Sequence, residues 1–114
     1  MKSRTHRPWG HYEILHSEPG IQVKRIEVNP GLRFSLQTHA QRSERWVVIT
    51  GYGVATVGKN QIQVRKGSYL EIAIGELHRL YNTGKEPLAI IEVQMGDYLG
   101  EDHIQRLADD FGRR

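Results

Sequence analysis

The chain has 114 residues and a mass of 13.1 kDa, which allows one domain with one core. Hydrophobic residues make up 38% and charged residues 25%, and no apolar run approaches the length of a membrane span, so a disordered or membrane-embedded chain is excluded by composition. Cysteine is absent, which removes disulfides, thiolate catalysis and cysteine-ligated metal and leaves only nitrogen and oxygen donors. The opening residues Met1 to Pro8 lack the apolar centre of a signal peptide, so a cytoplasmic location is expected, with no membrane partner. The net charge of +3 comes from sixteen Lys and Arg scattered along the chain. No basic helix or basic–aromatic interleaving accompanies them, which argues against a nucleic-acid partner and for a small anionic ligand.

Short apolar stretches cut by Gly, Pro and Asn run to about residue 95. Ile21 to Val28 alternates apolar and polar, with a phase break at Lys24-Arg25 that reads as a bulge. Asn29-Pro30-Gly31 is a turn. Arg33 to His39 reads as a strand and Arg45 to Thr50 as a buried one. Val54 to Val57, Gln61 to Val64 and Tyr69 to Ile74 continue the series, Leu80-Tyr81 leads into the turn at Asn82-Thr83-Gly84, and Leu88 to Gln94 is the last strong strand. Short strands at near-regular spacing predict an all-β barrel or sandwich. Glu101 to Phe111 differs. Ile104, Leu107, Ala108 and Phe111 recur at helical spacing, Glu101 and Asp102 suit a helix start, and Gly112 suits its end, so a short C-terminal helix is expected.

The chemistry-bearing pattern is Gly31-x5-Gln37-x-His39-x4-Glu44-x6-Gly51, followed by Gly67-x5-Ala73-x-Gly75-x2-His78-x3-Asn82. On a strand, Gln37 and His39 project to one face. A turn through Ala40 to Ser43 brings Glu44 onto the next strand, where it shares a face with Trp46 and Val48. His78 opens a further strand after a glycine turn. Gln37, His39, Glu44 and His78 are therefore expected to converge inside the barrel. Two imidazoles, a carboxylate and an amide oxygen suit zinc, manganese, iron(II), cobalt or nickel with open positions for water or substrate.

These two spacings are the two motifs of the cupin superfamily, which the chain resembles over nearly its whole length. Gln37 stands where the commoner cupin pattern has its first histidine, and Ala73 where it has a proline. Arg7-Pro-Trp-Gly-His-Tyr12, Ser35-Leu-Gln-Thr-His39, Glu44-Arg-Trp-Val-Val48, Gly75-Glu-Leu-His-Arg-Leu80, Ile91-Glu-Val-Gln94, Gly96 to Arg106 and Asp109 to Arg113 carry a closer likeness. They resemble the isomerase domain of type II mannose-6-phosphate isomerases, which is commonly joined to a mannose-1-phosphate guanylyltransferase. The guanylyltransferase half has no counterpart among these residues, so nucleotide transfer is not expected of them.

The resemblance implies a cupin double-stranded β-helix, a homodimer, and a divalent metal, zinc first, held by Gln37, His39, Glu44 and His78. It implies interconversion of mannose 6-phosphate and fructose 6-phosphate through an enediol, in polysaccharide or GDP-mannose metabolism, with a phosphorylated sugar as ligand. Arg33, in phase with Gln37 and His39, and Arg106 and Arg113 in the tail are the candidate substrate-binding cations. The family's Gln-x-His-His-His is here Gln37-Thr38-His39-Ala40-Gln41, and Arg45 stands where the family often has a further histidine. That departure supports the alternative of a non-catalytic metal-binding cupin that binds a sugar or nucleotide sugar or partners a separate guanylyltransferase. No general base is assigned: Glu71 and Glu76 read as loop or surface carboxylates, and His11, His16 and His103 as surface residues. Trp9 reads as packing or a sugar wall, Trp46 as core filling.

Overall fold

The computed structural model describes residues 4–99 and 104–112, and among them every regular element is a strand. In chain order these are β1 (Arg4–Arg7), β2 (Gly10–Glu18), β3 (Ile21–Val28), β4 (Leu36–Thr38), β5 (Arg42–Thr50), β6 (Tyr52–Val57), β7 (Asn60–Arg65), β8 (Tyr69–Ile72), β9 (His78–Asn82), β10 (Leu88–Gly96) and β11 (Gln105–Ala108). Two antiparallel sheets result, of order β1-β2-β3-β10-β5-β8 and β11-β4-β9-β6-β7. The expected all-β architecture is therefore observed.

Period-two alternation sets what each strand buries. On β5 the buried positions are Arg42, Glu44, Trp46 and Val48; on β10 they include Ile90, Glu92 and Gln94. On β3 they are Lys24, Ile26 and Val28, and on β9 they include His78, Leu80 and Asn82. The apolar members, with Trp9, Phe34, Leu88 and Ala55, form the core. The acidic, basic and amide members lie along the same inward rows, so the polar site is built from core positions.

The phase break in β3 is not a bulge. β3 pairs with β10 without interruption from Val28↔Leu88 to Ile21↔Met95, and the irregularity lies in β2, between Ile14 and His16. With the backbone regular, Lys24 falls on the same inward row as Ile26 and Val28 and is buried there.

The C-terminal helix is not formed. Gln105–Ala108 is a strand on the edge of β4, with Gln105↔Thr38, Arg106↔Gln37 and Ala108↔Leu36 in register. An isolated helix of about eleven residues is marginal in water. Strand addition instead satisfies the backbone groups on β4, whose other neighbour, β9, meets it only at Gln37↔His78. Arg79 fixes the arrangement by donating to the carbonyls of Phe34 and Ala108, both at 2.9 Å. Glu101 and Asp102, the expected helix start, lie outside the described residues.

Gly53 lets β6 approach β9 closely: a Cβ there would collide with the Tyr81 carbonyl oxygen and sit 2.5 Å from Leu88 Cδ2. Gly53→Ala is expected to lower stability by about 1–3 kcal/mol in chemical denaturation. Gly84→Ala, whose Cβ would meet nothing nearer than 3.6 Å, is expected to change it by less than about 0.5 kcal/mol.

Candidate metal centre

His39, Glu44 and His78 meet as the sequence pattern anticipates, all three buried, each with a ligand atom within 4.8 Å of the others. Glu44 reaches the site from β5, His78 from β9, and His39 from the short link after β4. Glu44 Oε2 lies 3.3 Å from His39 Nε2, and Glu44 Oε1 lies 3.7 Å from His78 Nε2. Donors about 2.0–2.2 Å from a shared tetrahedral or octahedral ion are roughly 3–3.5 Å apart, so the set is close to ligating geometry.

The protonation states suit that use. His78 Nδ1 donates to the Glu76 carbonyl at 3.0 Å, which leaves the Nε2 lone pair facing Glu44. Burial lowers the His78 pKa, outweighing that hydrogen bond, so the ring is neutral at neutral pH. Gln37 lies directly opposite His78 in the sheet and donates Nε2 to Ser35 Oγ at 2.9 Å, which leaves its amide oxygen as the atom suited to a cation. The donors present therefore fit a divalent ion.

Glu44 is also the centre of a hydrogen-bond network. It accepts from Arg42 Nε at 3.0 Å and from Trp46 Nε1 at 3.1 Å. Trp46 Nε1 is shared with Glu92 Oε2, also at 3.1 Å, and Gln94 Nε2 donates to Glu92 Oε1. Trp46 fills the core as expected, but its indole N–H also ties two carboxylates together. Burial, then the Glu44 charge and a hydrogen bond to it, push the Glu92 pKa well above the usual value; Lys24 and Arg42 oppose this.

Gln37, Glu44 and His78 line a cavity of about 50 Å³ that is open at its mouth. Arg7, Lys24, Arg42 and Arg106 are the cations on its wall, and Glu44 and Glu92 the carboxylates. Lys24 is buried and stands 4.4 Å above the Tyr12 ring centroid. Arg106 points a buried Nε that has no hydrogen-bond partner among the described residues. Trp9 both lines the cavity and packs edge-on against Phe34 at 5.6 Å.

Arg33 is placed elsewhere. Residues 33–35 are not a continuous strand: Arg33 makes one bridge to Tyr81, and its side chain pairs with Asp110 at 2.8 and 3.0 Å, away from the cavity wall. The phase argument from Gln37 and His39 fails there because the extended run it assumed is broken. Arg113 and His103 lie outside the described residues. Glu71 is exposed, Glu76 is half-buried and accepts from the Ala73 N–H, and His16 is exposed against Glu18, whereas His11, expected at the surface, is buried beside Glu27. Sequence reasoning missed Lys24, Arg42 and Glu92. Lys24 and Glu92 were each signalled by a charge sitting in phase with apolar core residues on its own strand. Arg42 was hidden because the turn ends at Gln41, two residues earlier than expected, and puts it on the inward row of β5.

A family model described as mannose-6-phosphate isomerase C-terminal matches residues 1–109. The chain belongs to that family. Among relatives of this isomerase family, the alginate biosynthesis protein AlgA of Pseudomonas aeruginosa is 46% identical over 109 residues, covering 96% of this chain and 23% of that protein. The xanthan biosynthesis protein XanB of Xanthomonas campestris is 44% identical over 110 residues, covering 96% and 24%. A mannose-1-phosphate guanylyltransferase of Klebsiella pneumoniae is 43% identical, covering 95% and 23%. The isomerase-family chain thus spans about a quarter of the length of these relatives. Solved structures place its fold. A Klebsiella pneumoniae protein with a double-stranded β-helix domain superposes with a TM-score of 0.73 at 19% identity, covering 86% of this chain and 83% of that one. Oxalate decarboxylase of Lactobacillus farciminis superposes at 0.80 and 21% identity, covering 93% and 33%. The fold is the cupin double-stranded β-helix.

Glu92 binds its proton more tightly in the folded than in the unfolded chain. Its contribution to stability is full below about pH 4.5 and is lost as pH rises through the higher folded value. Glu92→Gln keeps the shape and stays neutral. In chelator, its unfolding free energy is expected to overtake that of the wild type by roughly 1 kcal/mol or more as pH is raised from 4.5 towards 9. Parallel pH profiles would contradict the raised Glu92 pKa.

Proposed function

We propose that this domain is a metal-dependent sugar-phosphate isomerase that interconverts mannose 6-phosphate and fructose 6-phosphate. The observation that carries the reading is a buried His39–Glu44–His78 set, two of whose members, Glu44 and His78, lie on the wall of a cation-lined cavity, in a chain of the mannose-6-phosphate isomerase C-terminal family. The names of its alginate and xanthan relatives support a place in polysaccharide synthesis.

Aldose–ketose isomerisation requires a proton to move between C1 and C2, charge stabilisation on the enediolate, and a grip on the phosphate. His39, Glu44 and His78, with the Gln37 amide oxygen, would hold the ion. Zinc is the first choice, because two imidazoles and a carboxylate with an open position form a known catalytic zinc set, and manganese is the next. A bound divalent ion supplies Lewis-acid polarisation of the sugar's carbonyl and hydroxyl oxygens. Arg7 and Arg106 are suited to the phosphate by their fork geometry, and Lys24 by its compact charge. Glu92 is the proton carrier of this scheme: it lies on the cavity wall, and burial beside Glu44 raises its pKa above the usual carboxylate value. Tyr12 and Trp9 supply the apolar wall against which a sugar face can lie.

A second reading, a metal-binding domain that holds the sugar phosphate without turning it over, is favoured by Ala40 and Gln41 at the positions of the family's extra histidines. A coupled assay of metal-reconstituted protein with mannose 6-phosphate, following fructose 6-phosphate, separates the two. Turnover is expected with zinc or manganese, and is expected to fall at least about 100-fold in His78→Ala or in chelator. Binding of mannose 6-phosphate with no turnover across zinc, manganese, cobalt, nickel and iron(II) would establish the second reading instead.

A further inference from the structure

The Arg42 guanidinium sits on the ligating side of the proposed metal set. Its terminal nitrogen donates to His39 Nε2 at 3.0 Å and its Nε to Glu44 Oε2 at 3.0 Å. Arg42 is itself buried on the inward row of β5, and its other terminal nitrogen lies 3.4 Å from the Leu99 carbonyl oxygen. Arginine stays protonated, so both contacts are donated by a permanent cation. A carboxylate oxygen has two lone pairs and can keep one N–H while ligating an ion. An imidazole nitrogen has only one. His39 Nε2 therefore cannot accept from Arg42 and ligate a metal together, and a guanidinium held there would also face a dication across a few ångströms of buried, weakly screened space.

We propose that Arg42 is a resident cation that keeps His39 and Glu44 assembled in the metal-free protein, and that a divalent ion enters only by displacing the guanidinium from His39. Metal binding is then an exchange of cations. The metal-free site is already compensated, since the buried Glu44 charge has a partner before any ion arrives. The ion must in turn outcompete two charge-assisted hydrogen bonds, so the apparent affinity is lower than the donor set alone would give. The released guanidinium remains next to the cavity, where Arg42 already forms part of the wall. This inference rests on the reading of His39, Glu44 and His78 as metal ligands.

The test is a zinc titration of chelator-stripped wild type and of Arg42→Met, which keeps an unbranched apolar stem, by competition with a chromophoric chelator. Arg42→Met is expected to bind zinc at least about tenfold more tightly than wild type. It is also expected to melt at a lower temperature without metal, with the gap closing once zinc is added. Equal or weaker zinc binding by Arg42→Met would overturn the proposal and leave Arg42 as a support for Glu44 in both states. Binding by neither protein would overturn the metal-centre reading and this inference together. A readout on the unaltered chain covers the case in which Arg42→Met does not fold. In protein labelled with nitrogen-15, one equivalent of zinc is expected to strip the Arg42 terminal N–H groups of their protection from solvent exchange and to shift His39 Nε2. Zinc binding that leaves the Arg42 signals unchanged would overturn the exchange.

Discussion

Taking the Glu44 carboxylate out of water dominates the energetics of this interior, because a lone buried charge is one of the most unfavourable groups a fold can contain. Glu44 is 1% exposed. The surroundings answer it group by group: Arg42 and Trp46 donate to it, the two histidines bring polar nitrogens to its oxygens, and the Glu92 pKa is pushed up beside it. Each partner comes from an inward position of β5, β9 or β10 or from the link after β4. The strands that frame the site are therefore also those whose register the site constrains: a one-residue slip in any of them would expose the partner and leave the carboxylate uncompensated.

The same rows explain how a small barrel carries a polar centre without losing its core. Trp46, Leu80 and Ile90 alternate along the rows with Glu44, His78 and Glu92, so each charged group is flanked by apolar packing that keeps water out and electrostatic coupling strong. The aromatic contacts knit the two regions: Phe34 meets Trp9 and Trp46 edge-on, and Trp46 meets His78 at 5.8 Å. Arg7, Lys24, Arg42 and Arg106 share the wall of the cavity with Tyr12, Glu44 and His78, so cations and the buried donors face one space.

Much of this was legible in the residues. The strand series, the turn at Asn29 to Gly31 and the convergence of His39, Glu44 and His78 follow from alternation and from the spacing of glycine and ligand-type residues. Three features were not. The C-terminal segment carries a helical period, yet it forms β11, because the open edge of β4 is a tertiary fact that no local pattern records. Lys24 broke the alternation of β3 and was read as a backbone irregularity, when the backbone is regular and the side chain is simply buried. Arg33 kept the right phase on a strand that does not exist at that point. In each case the local signal was real and its meaning depended on which neighbour the segment met.

The central claim is that His39, Glu44 and His78 bind one divalent ion inside the barrel. Anomalous diffraction at the zinc edge, from crystals of the zinc-loaded protein, addresses it most directly. A single strong peak within about 2.0–2.2 Å of His39 Nε2, His78 Nε2 and a Glu44 oxygen is the expected result. Zinc located only at exposed histidines such as His16, with the Arg42 guanidinium still seated on His39 and Glu44, would contradict it.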